Sequence, residues 1–178
     1  LSQAEHDVMA SAVLVTESAA LAAAVAQELE AQLAVLPREA IARASIEQNG
    51  KIIVADSIAQ AIEVANRIAP EHLEVCVDDP FAYLGQIENA GSIFLGRHCP
   101  EALGDYFAGP NHTLPTGGTA RFSSPLSVDD FVKKSSFTYY TEEALAREAQ
   151  KVARFARSEG LEAHARSALV RGETGGRA

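Results

Sequence analysis

Apolar side chains recur at two different spacings along the first 95 residues, and each spacing predicts a different kind of element. From residue 17 to residue 36 they recur every three or four positions without Gly or Pro, which predicts a long amphipathic helix. Short uninterrupted apolar runs predict buried strands instead. The predicted helices cover residues 17–36, 37–49 and 57–69, with another starting at residue 80. The predicted strands cover residues 12–15, 51–55, 73–77 and 92–95.

Strands that alternate with helices at this spacing build a mostly parallel sheet through right-handed crossovers. The predicted class is therefore α/β, with an incomplete Rossmann-like lobe over residues 1–126. Residues 127–178 are predicted to form a small helical tail, because Thr141 begins a helical pattern that stops at Gly160 and a second helical pattern follows.

Residues 96–126 lack this periodicity and are rich in Gly and Pro. Glycines stand at positions 96, 104, 109, 117 and 118, and prolines at positions 100, 110, 115 and 125. Loops of this length are uncommon in compact domains unless they carry function. We therefore expect this segment to form an active-site loop.

Composition narrows the class of protein. The 178 residues carry a formal charge of −9, which disfavours binding to the phosphate backbone of nucleic acids. The longest apolar run, residues 19–26, is far shorter than the roughly 20 residues of a membrane helix, so no membrane partner is expected.

Cys76 and Cys99 show no pairing pattern, which favours structural thiols in a reducing cytoplasm. Because residue 1 is Leu, we expect the sequence to begin inside a longer reading frame.

The amino-terminal segment has two interpretations. Ser2 and Glu5 have the spacing of a capping box at a helix start. Gln3 and His6 would share one face of the same helix, close enough to bind one metal ion. This spacing alone is a weak metal signal, because an amide oxygen is an uncommon zinc ligand.

Other candidate residues lie at a junction and in the predicted loop. Glu71 and His72 stand between a helix and a strand, where they are either solvated loop residues or a pair of general bases. In the loop, a rigid Gly- and Pro-rich backbone could aim Asp105 and His112, although Asp105 is equally an ordinary turn residue. His164 on the last helix is by default a surface or packing residue, and His98 is assigned to the surface.

Several segments together resemble a known family. SQAEHD, APEHLEV, AGSIFLG, the long stretch from PEALGDYFAGPNHTLPTGG to VDDFVKKSS, and EGLEAHA closely resemble, in this order and spacing, the carboxyl-terminal part of histidinol dehydrogenases. The resemblance covers nearly the whole chain. It implies a zinc-dependent, NAD-linked enzyme that oxidises L-histidinol through L-histidinal to L-histidine.

The resemblance also implies roles for individual residues. Glu71 and His72 would be the catalytic bases, and His112 and Glu159 would contact the substrate. The implied zinc ligands, which also surround the substrate, are Gln3, His6, Asp105 and His164. Two imidazoles, a carboxylate and an amide oxygen would leave an octahedral zinc open positions for the nitrogens of histidinol.

The same resemblance implies features that lie outside this chain. The dinucleotide-binding half of the family precedes the matched region, so no NAD-binding residue is expected here, and no GxGxxG fingerprint occurs. The helical tail would cross to a second subunit, so that a homodimer has shared sites. We expect this segment by itself to be inactive, and the alternative function is a non-catalytic zinc- or ligand-binding α/β module.

Overall fold

The structure is a computed structural model that describes residues 1–173. The chain forms two compact units, Leu1–Val132 and Lys133–Ala178, and each is described by itself. The first unit contains four strands and five α-helices, and the described part of the second, up to residue 173, contains two α-helices. In chain order the elements are β1 (Val13–Thr16), α1 (Ala19–Leu33), α2 (Glu39–Asn49), β2 (Lys51–Val54), α3 (Ile58–Ile68), β3 (His72–Val75), α4 (Phe81–Leu84), β4 (Ser92–Leu95), α5 (Glu101–Tyr106), α6 (Glu142–Ser158) and α7 (Glu162–Glu173).

The strands pair in parallel, as predicted, but as two separate pairs. β1 pairs with β2, beginning with Val13 opposite Lys51, and β3 pairs with β4, beginning with His72 opposite Ser92. Over residues 1–173 these pairs do not join into the single sheet that the alternating pattern predicts. Each pair is formed by strands that follow one another in the chain, with α1 and α2 between the first two strands and α4 between the other two. The structure is therefore mixed α/β with two small parallel sheets.

Hydroxyl side chains fix the starts of three helices. Ser57 accepts a hydrogen bond from the backbone N–H of Gln60 at 3.2 Å, as a cap of α3 should. Thr141 does the same for α6, accepting from the N–H of Ala144 at 3.1 Å. Ser18 caps α1 in the same way. The sequence predicts a helix start capped by Asp56 or Ser57 and another at Thr141; both starts are confirmed, and Ser57 is the cap of α3.

The amino-terminal segment packs on α1 and α2. Ala4, Leu33 and Ala42 form a fully buried apolar cluster, with Leu1 and Ile46 against its edge. Polar contacts add to this packing. The hydroxyl of Ser45 donates to the backbone carbonyl of Ala10 at 2.8 Å, Arg38 donates to the carbonyl of His6 at 3.2 Å, and Asn49 donates to the carbonyl of Val8 at 3.1 Å. The segment that carries Gln3 and His6 is therefore held to a helical scaffold.

The predicted loop at residues 96–126 contains a helix that the sequence pattern did not predict. α5 occupies residues 101–106, and a short 3-10 helix occupies Thr119–Arg121. Pro100 precedes α5 and Glu101 is its first residue, and both are favourable at a helix start. Gly104 weakens the helical pattern in the sequence, because glycine disfavours helix interiors. Gly104 lies where the helix closely approaches the ring of Phe94.

The second unit is a hairpin of two helices. α6 and α7 pack through small side chains, chiefly Ala153, Ala156 and Ala165, which allow the helices to approach closely. Gly160 provides the turn with a φ of 77°. The pKa of Glu162 falls to about 2, because Arg157 and Arg166 donate hydrogen bonds to its carboxylate. Among the described residues, no helix is both long and apolar enough to cross a membrane.

Candidate active site

His72 lies at the start of β3, with its side chain largely enclosed. Only 16% of that side chain is exposed. Its ring packs at a tilted angle of 43° against the ring of Phe94 on the neighbouring strand, with 6.0 Å between centroids. His72 is thus a strand residue that contacts the interior, which contradicts its interpretation as a solvated loop residue.

Two carboxylates on α5 face the same imidazole. Glu101 and Asp105 are four residues apart, so they share one face of the helix. The Oε1 atom of Glu101 lies 3.8 Å from Nε2 of His72, and ligand atoms of His72, Glu101 and Asp105 all lie within 4.8 Å of one another. Asp105 is therefore a helical residue, which contradicts its interpretation as an ordinary turn residue.

The electrostatics of Glu101 reflect this crowding. Burial raises the pKa of its carboxyl group, and the neighbouring Asp105 raises it further through charge and a hydrogen bond. His72 and His6 act in the opposite direction, because positive charge on either imidazole favours the ionised carboxylate. Asp105, one of the implied zinc ligands, therefore lies beside the Glu101 carboxyl group.

Two contacts position α5 against the strands. The backbone N–H of Glu101 donates to Oε1 of Glu74, a residue of β3, at 2.7 Å. A Cβ placed on Gly104 would come within 2.6 Å of the Phe94 ring, so the helix lies directly on that ring. Since Phe94 is only 6% exposed and also packs against His72, the backbone of α5 and the imidazole both lie against one buried side chain.

Replacing Gly104 by Ala in the full-length protein is expected to destabilise it by about 1–3 kcal/mol, the usual cost of overpacking a filled core. A decrease in the free energy of unfolding would indicate a filled site, because replacing Gly by Ala at an open helix position stabilises a protein by about 0.5–1 kcal/mol. Gly85→Ala is the matched control, since a Cβ at Gly85 meets nothing within 4 Å. Denaturant unfolding of both variants gives the comparison. Equal stability of the two variants would show that α5 does not lie on Phe94 as described.

Glu71 precedes β3 in a tightly fixed junction. Its carbonyl accepts a hydrogen bond from the N–H of Ser92 at 2.8 Å, and the N–H of Gly91 donates to the carbonyl of Pro70 at 2.9 Å. A Cβ on Gly91 would lie 2.6 Å from the Glu71 carbonyl. Before the junction, Ala69 ends α3 with a φ of 51°, a left-handed conformation that is uncommon for a residue other than glycine. The backbone at Glu71 is therefore precisely placed, and its side chain is half-buried.

Gln3 and His6 lie in consecutive turns rather than on an α-helix. The N–H of Glu5 donates to the carbonyl of Leu1 at 3.0 Å, and that of His6 donates to Gln3 at 3.3 Å. Residues 2–6 form these turns and do not continue into a helix, so the helix predicted from the capping-box pattern at Ser2 is wrong. Gln3 is half-buried and His6 is exposed.

The remaining predicted site residues are exposed. His112 follows α5 in the irregular segment, beside a turn in which Asn111 accepts a hydrogen bond from the N–H of Thr113 at 2.6 Å. Glu159, after the last residue of α6, and His164, on α7, belong to the second unit. His98 is exposed, as predicted. The structure therefore brings His72 and Asp105 together within the first unit.

Glu101 was not predicted from the sequence as a site residue. The available signal was a helix start at Pro100 and Glu101, with Asp105 one helical turn further on. The many glycines in this segment disfavour a helix, so the sequence pattern predicted a loop there. Cys76 and Cys99 are both free, and burial followed by the charge of Glu74 raises the pKa of the Cys76 thiol, which disfavours a reactive thiolate.

The donors in this region suit zinc, which binds imidazole nitrogen and carboxylate oxygen. Asp105 on α5 supplies a carboxylate, and the amino-terminal segment carries the imidazole of His6 and the amide of Gln3. The Nε2 atom of His72 is buried and has no hydrogen-bond partner within residues 1–173, so a polar atom beside Glu101 and Asp105 is left unsatisfied. Such a site is suited to holding a polar ligand or a cation.

Comparison with known proteins gives a consistent result. Residues 1–172 match the sequence profile of the family described as histidinol dehydrogenase. The histidinol dehydrogenase of Syntrophotalea carbinolica is 59% identical over 171 residues, covering 96% of this chain and 40% of that protein. That of Bacillus subtilis is 58% identical over 171 residues, again covering 40% of its length.

A solved structure is also similar. The crystal structure of histidinol dehydrogenase from Elizabethkingia anophelis superimposes with a TM-score of 0.90 at 38% sequence identity, covering 97% of this chain and 40% of that one. The chain thus spans about 40% of the length of the relatives it matches.

Proposed function

The chain belongs to the histidinol dehydrogenase family, and from that membership we propose that it forms part of a zinc-dependent, NAD-linked dehydrogenase that converts L-histidinol through L-histidinal to L-histidine. The observation that carries this proposal is the enclosed His72 imidazole beside Asp105 on α5. Oxidation of an alcohol requires a base for the hydroxyl proton, and a neighbouring carboxylate that can bind a metal would help to orient the substrate. We propose that this reaction takes place in the cytoplasm and that these residues are one part of a longer enzyme.

His72 serves as the base of the first oxidation. Removing hydride from the alcohol carbon of histidinol to NAD leaves the hydroxyl proton to be taken by a base, and the imidazole is suited to accept it near neutral pH. The enclosure of His72 keeps competing water from the ring.

Glu71 serves the second oxidation. The aldehyde must first add water to give a hydrate, and Glu71 takes the proton that this water releases. A second hydride then leaves the same carbon for a second NAD, which gives the carboxylic acid. The fixed backbone around Glu71 and Gly91 supports a defined carboxylate position one residue from His72. His112 and Glu159 are proposed to contact the substrate.

Zinc is proposed to be held by Gln3, His6, Asp105 and His164. When bound, it would orient the amino and imidazole nitrogens of histidinol and would not itself change oxidation state. NAD would accept the hydride, and we assign no residue of this chain to NAD binding. Gln3, His6 and Asp105 lie in the first unit and His164 lies in the second.

The fold has a matching proposed organisation. We propose that residues 1–126 are part of a Rossmann-like lobe and that residues 127–178 form a tail exchanged between two subunits of a homodimer. Support comes from the apolar side chains that the second unit leaves uncovered, since Phe155 is 70% exposed and Phe137 is 94% exposed. In this arrangement His164 completes the site of the partner subunit.

Mixed dimers test the exchange. If the sites are shared, dimers that combine a His72→Asn subunit with a His164→Asn subunit contain one doubly altered site and one intact site. Random mixing of two inactive variants should therefore restore about a quarter of the wild-type activity. Absence of any recovery, with mixed dimers verified by mass spectrometry, would place His164 in the same subunit's site.

The proposed function is tested with the full-length protein, purified with zinc. We expect two molecules of NADH for each L-histidinol consumed, loss of this activity after chelation, and its return when zinc is added back. Residues 1–178 alone are the comparison and should form no NADH, because the acceptor has no pocket there. A full-length protein that binds zinc and histidinol but forms no NADH would favour the non-catalytic binding module.

A further inference from the structure

Glu101 has no role in the chemistry proposed above, yet it is among the most enclosed carboxylates near the site. Only 14% of its side chain is exposed, and its Oε1 lies 3.8 Å from Nε2 of His72. This nitrogen is buried and lacks a hydrogen-bond partner in the described part of the chain. A buried imidazole nitrogen left without a partner is unfavourable, so the nearest carboxylate oxygen is the natural acceptor.

We propose that Glu101 is a positioning residue for His72: its carboxylate accepts a hydrogen bond from Nε2–H and so leaves the lone pair of the ring on Nδ1. The present separation exceeds a hydrogen bond, and a small rotation of the Glu101 side chain closes it. The hydrogen bond would fix both the tautomer and the orientation of the ring. The effect of this orientation on catalysis rests on the proposed function, whereas the hydrogen bond and the tautomer do not depend on it.

The surrounding contacts explain why Glu101 suits this task. Its backbone N–H is bound by Glu74, which lies on the same strand as His72. β3 therefore fixes the imidazole and the start of α5 together. Gly104 and Phe94 hold the other end of the helix against the same ring that packs on His72. Asp105 lies one turn further on, where it remains available to the metal.

The first readout is the tautomer of His72, measured by 15N NMR on the labelled full-length protein without zinc or substrate, with the His72 signals assigned from their absence in His72→Asn. We expect the Nε2–H form to dominate in the wild type. Glu101→Leu, which keeps similar volume but removes the acceptor, should give a mixture of tautomers. Glu101→Asp should restore part of the preference. Glu63→Gln, an exposed position on α3, is the control and should match the wild type.

The second readout is steady-state oxidation of L-histidinol by the zinc-loaded enzyme. Glu101→Leu should lower kcat by about 10- to 100-fold, with KM and the zinc content nearly unchanged, because orientation of the base is lost and binding is not. An unchanged tautomer in Glu101→Leu would overturn the proposal. Loss of bound zinc would overturn it as well, since Glu101 would then be a metal ligand.

Two further outcomes keep the test decisive. If Glu101→Leu does not fold, as judged by circular dichroism, Glu101→Ala replaces it, because it also lacks an acceptor, and an unchanged tautomer or an unchanged kcat in that variant would overturn the proposal. If the wild-type protein does not oxidise histidinol, the proposed function fails, but the tautomer measurement still decides whether Glu101 positions His72.

Discussion

Replacing His72 by Asn in the full-length enzyme is expected to slow the first hydride transfer from L-histidinol by about 10²–10⁴-fold, the usual effect of removing a general base. Asn retains a polar side chain but cannot take up the hydroxyl proton at neutral pH. The effect should appear in a single-turnover experiment as slower formation of the first NADH, while oxidation of supplied L-histidinal is affected much less.

The structure provides a control for this variant. His98→Asn changes an exposed imidazole that follows β4 and should leave both rates unchanged. Zinc content should be compared in both proteins, since the nearby Asp105 is a proposed ligand. Equal slowing of the histidinol and histidinal reactions by His72→Asn would refute its assignment to the hydroxyl step.

Glu71→Gln should have the complementary effect. Activation of water for addition to the aldehyde needs a carboxylate, and the amide that replaces it has nearly the same shape but no basicity. Oxidation of supplied L-histidinal is therefore expected to fall by about 10²–10⁴-fold, with the first hydride transfer from L-histidinol largely retained. In a single turnover from histidinol, the first NADH should form at a near-normal rate and the second should lag.

Glu74→Gln is a useful comparison for Glu71→Gln. Glu74 lies three residues further along, is exposed, and contacts the start of α5 rather than the junction before β3. Because Gln keeps an oxygen that can accept from the N–H of Glu101, both half-reactions should be altered by less than about tenfold. If Glu71→Gln behaves like Glu74→Gln, the water-activating role of Glu71 is wrong.

Much of the secondary structure could be predicted because local signals determine it. The Ser57 cap, the apolar run at residues 51–55 and the small-residue helices of the second unit all depend on neighbours within one or two turns of chain. The parallel direction of the strands followed from the helices between them. The separation into two pairs could not be predicted, because pairing depends on which strand edges meet in space.

The candidate site could likewise be predicted only in part from the sequence. His72 and Asp105 were identified from short motifs that carry a resemblance, whereas Glu101 depends on contacts across 29 positions of chain, from β3 to α5. Gly104 gave a misleading local signal, since the helix keeps a poor helix former where Phe94 leaves no room for a Cβ. The sequence pattern reflects the low helix propensity of Gly104 but contains no information about the Phe94 ring that packs against it.

The α6–α7 hairpin also bears on the order in which the chain acquires structure. Its contacts join residues close in sequence across the single turn at Gly160, so closing that loop costs little conformational entropy. β1 and β2, in contrast, can pair only after two intervening helices have been traversed. Local helical contacts form on the microsecond scale, whereas parallel pairing is intrinsically slow. The α6–α7 hairpin is therefore the segment of this chain able to fold fastest.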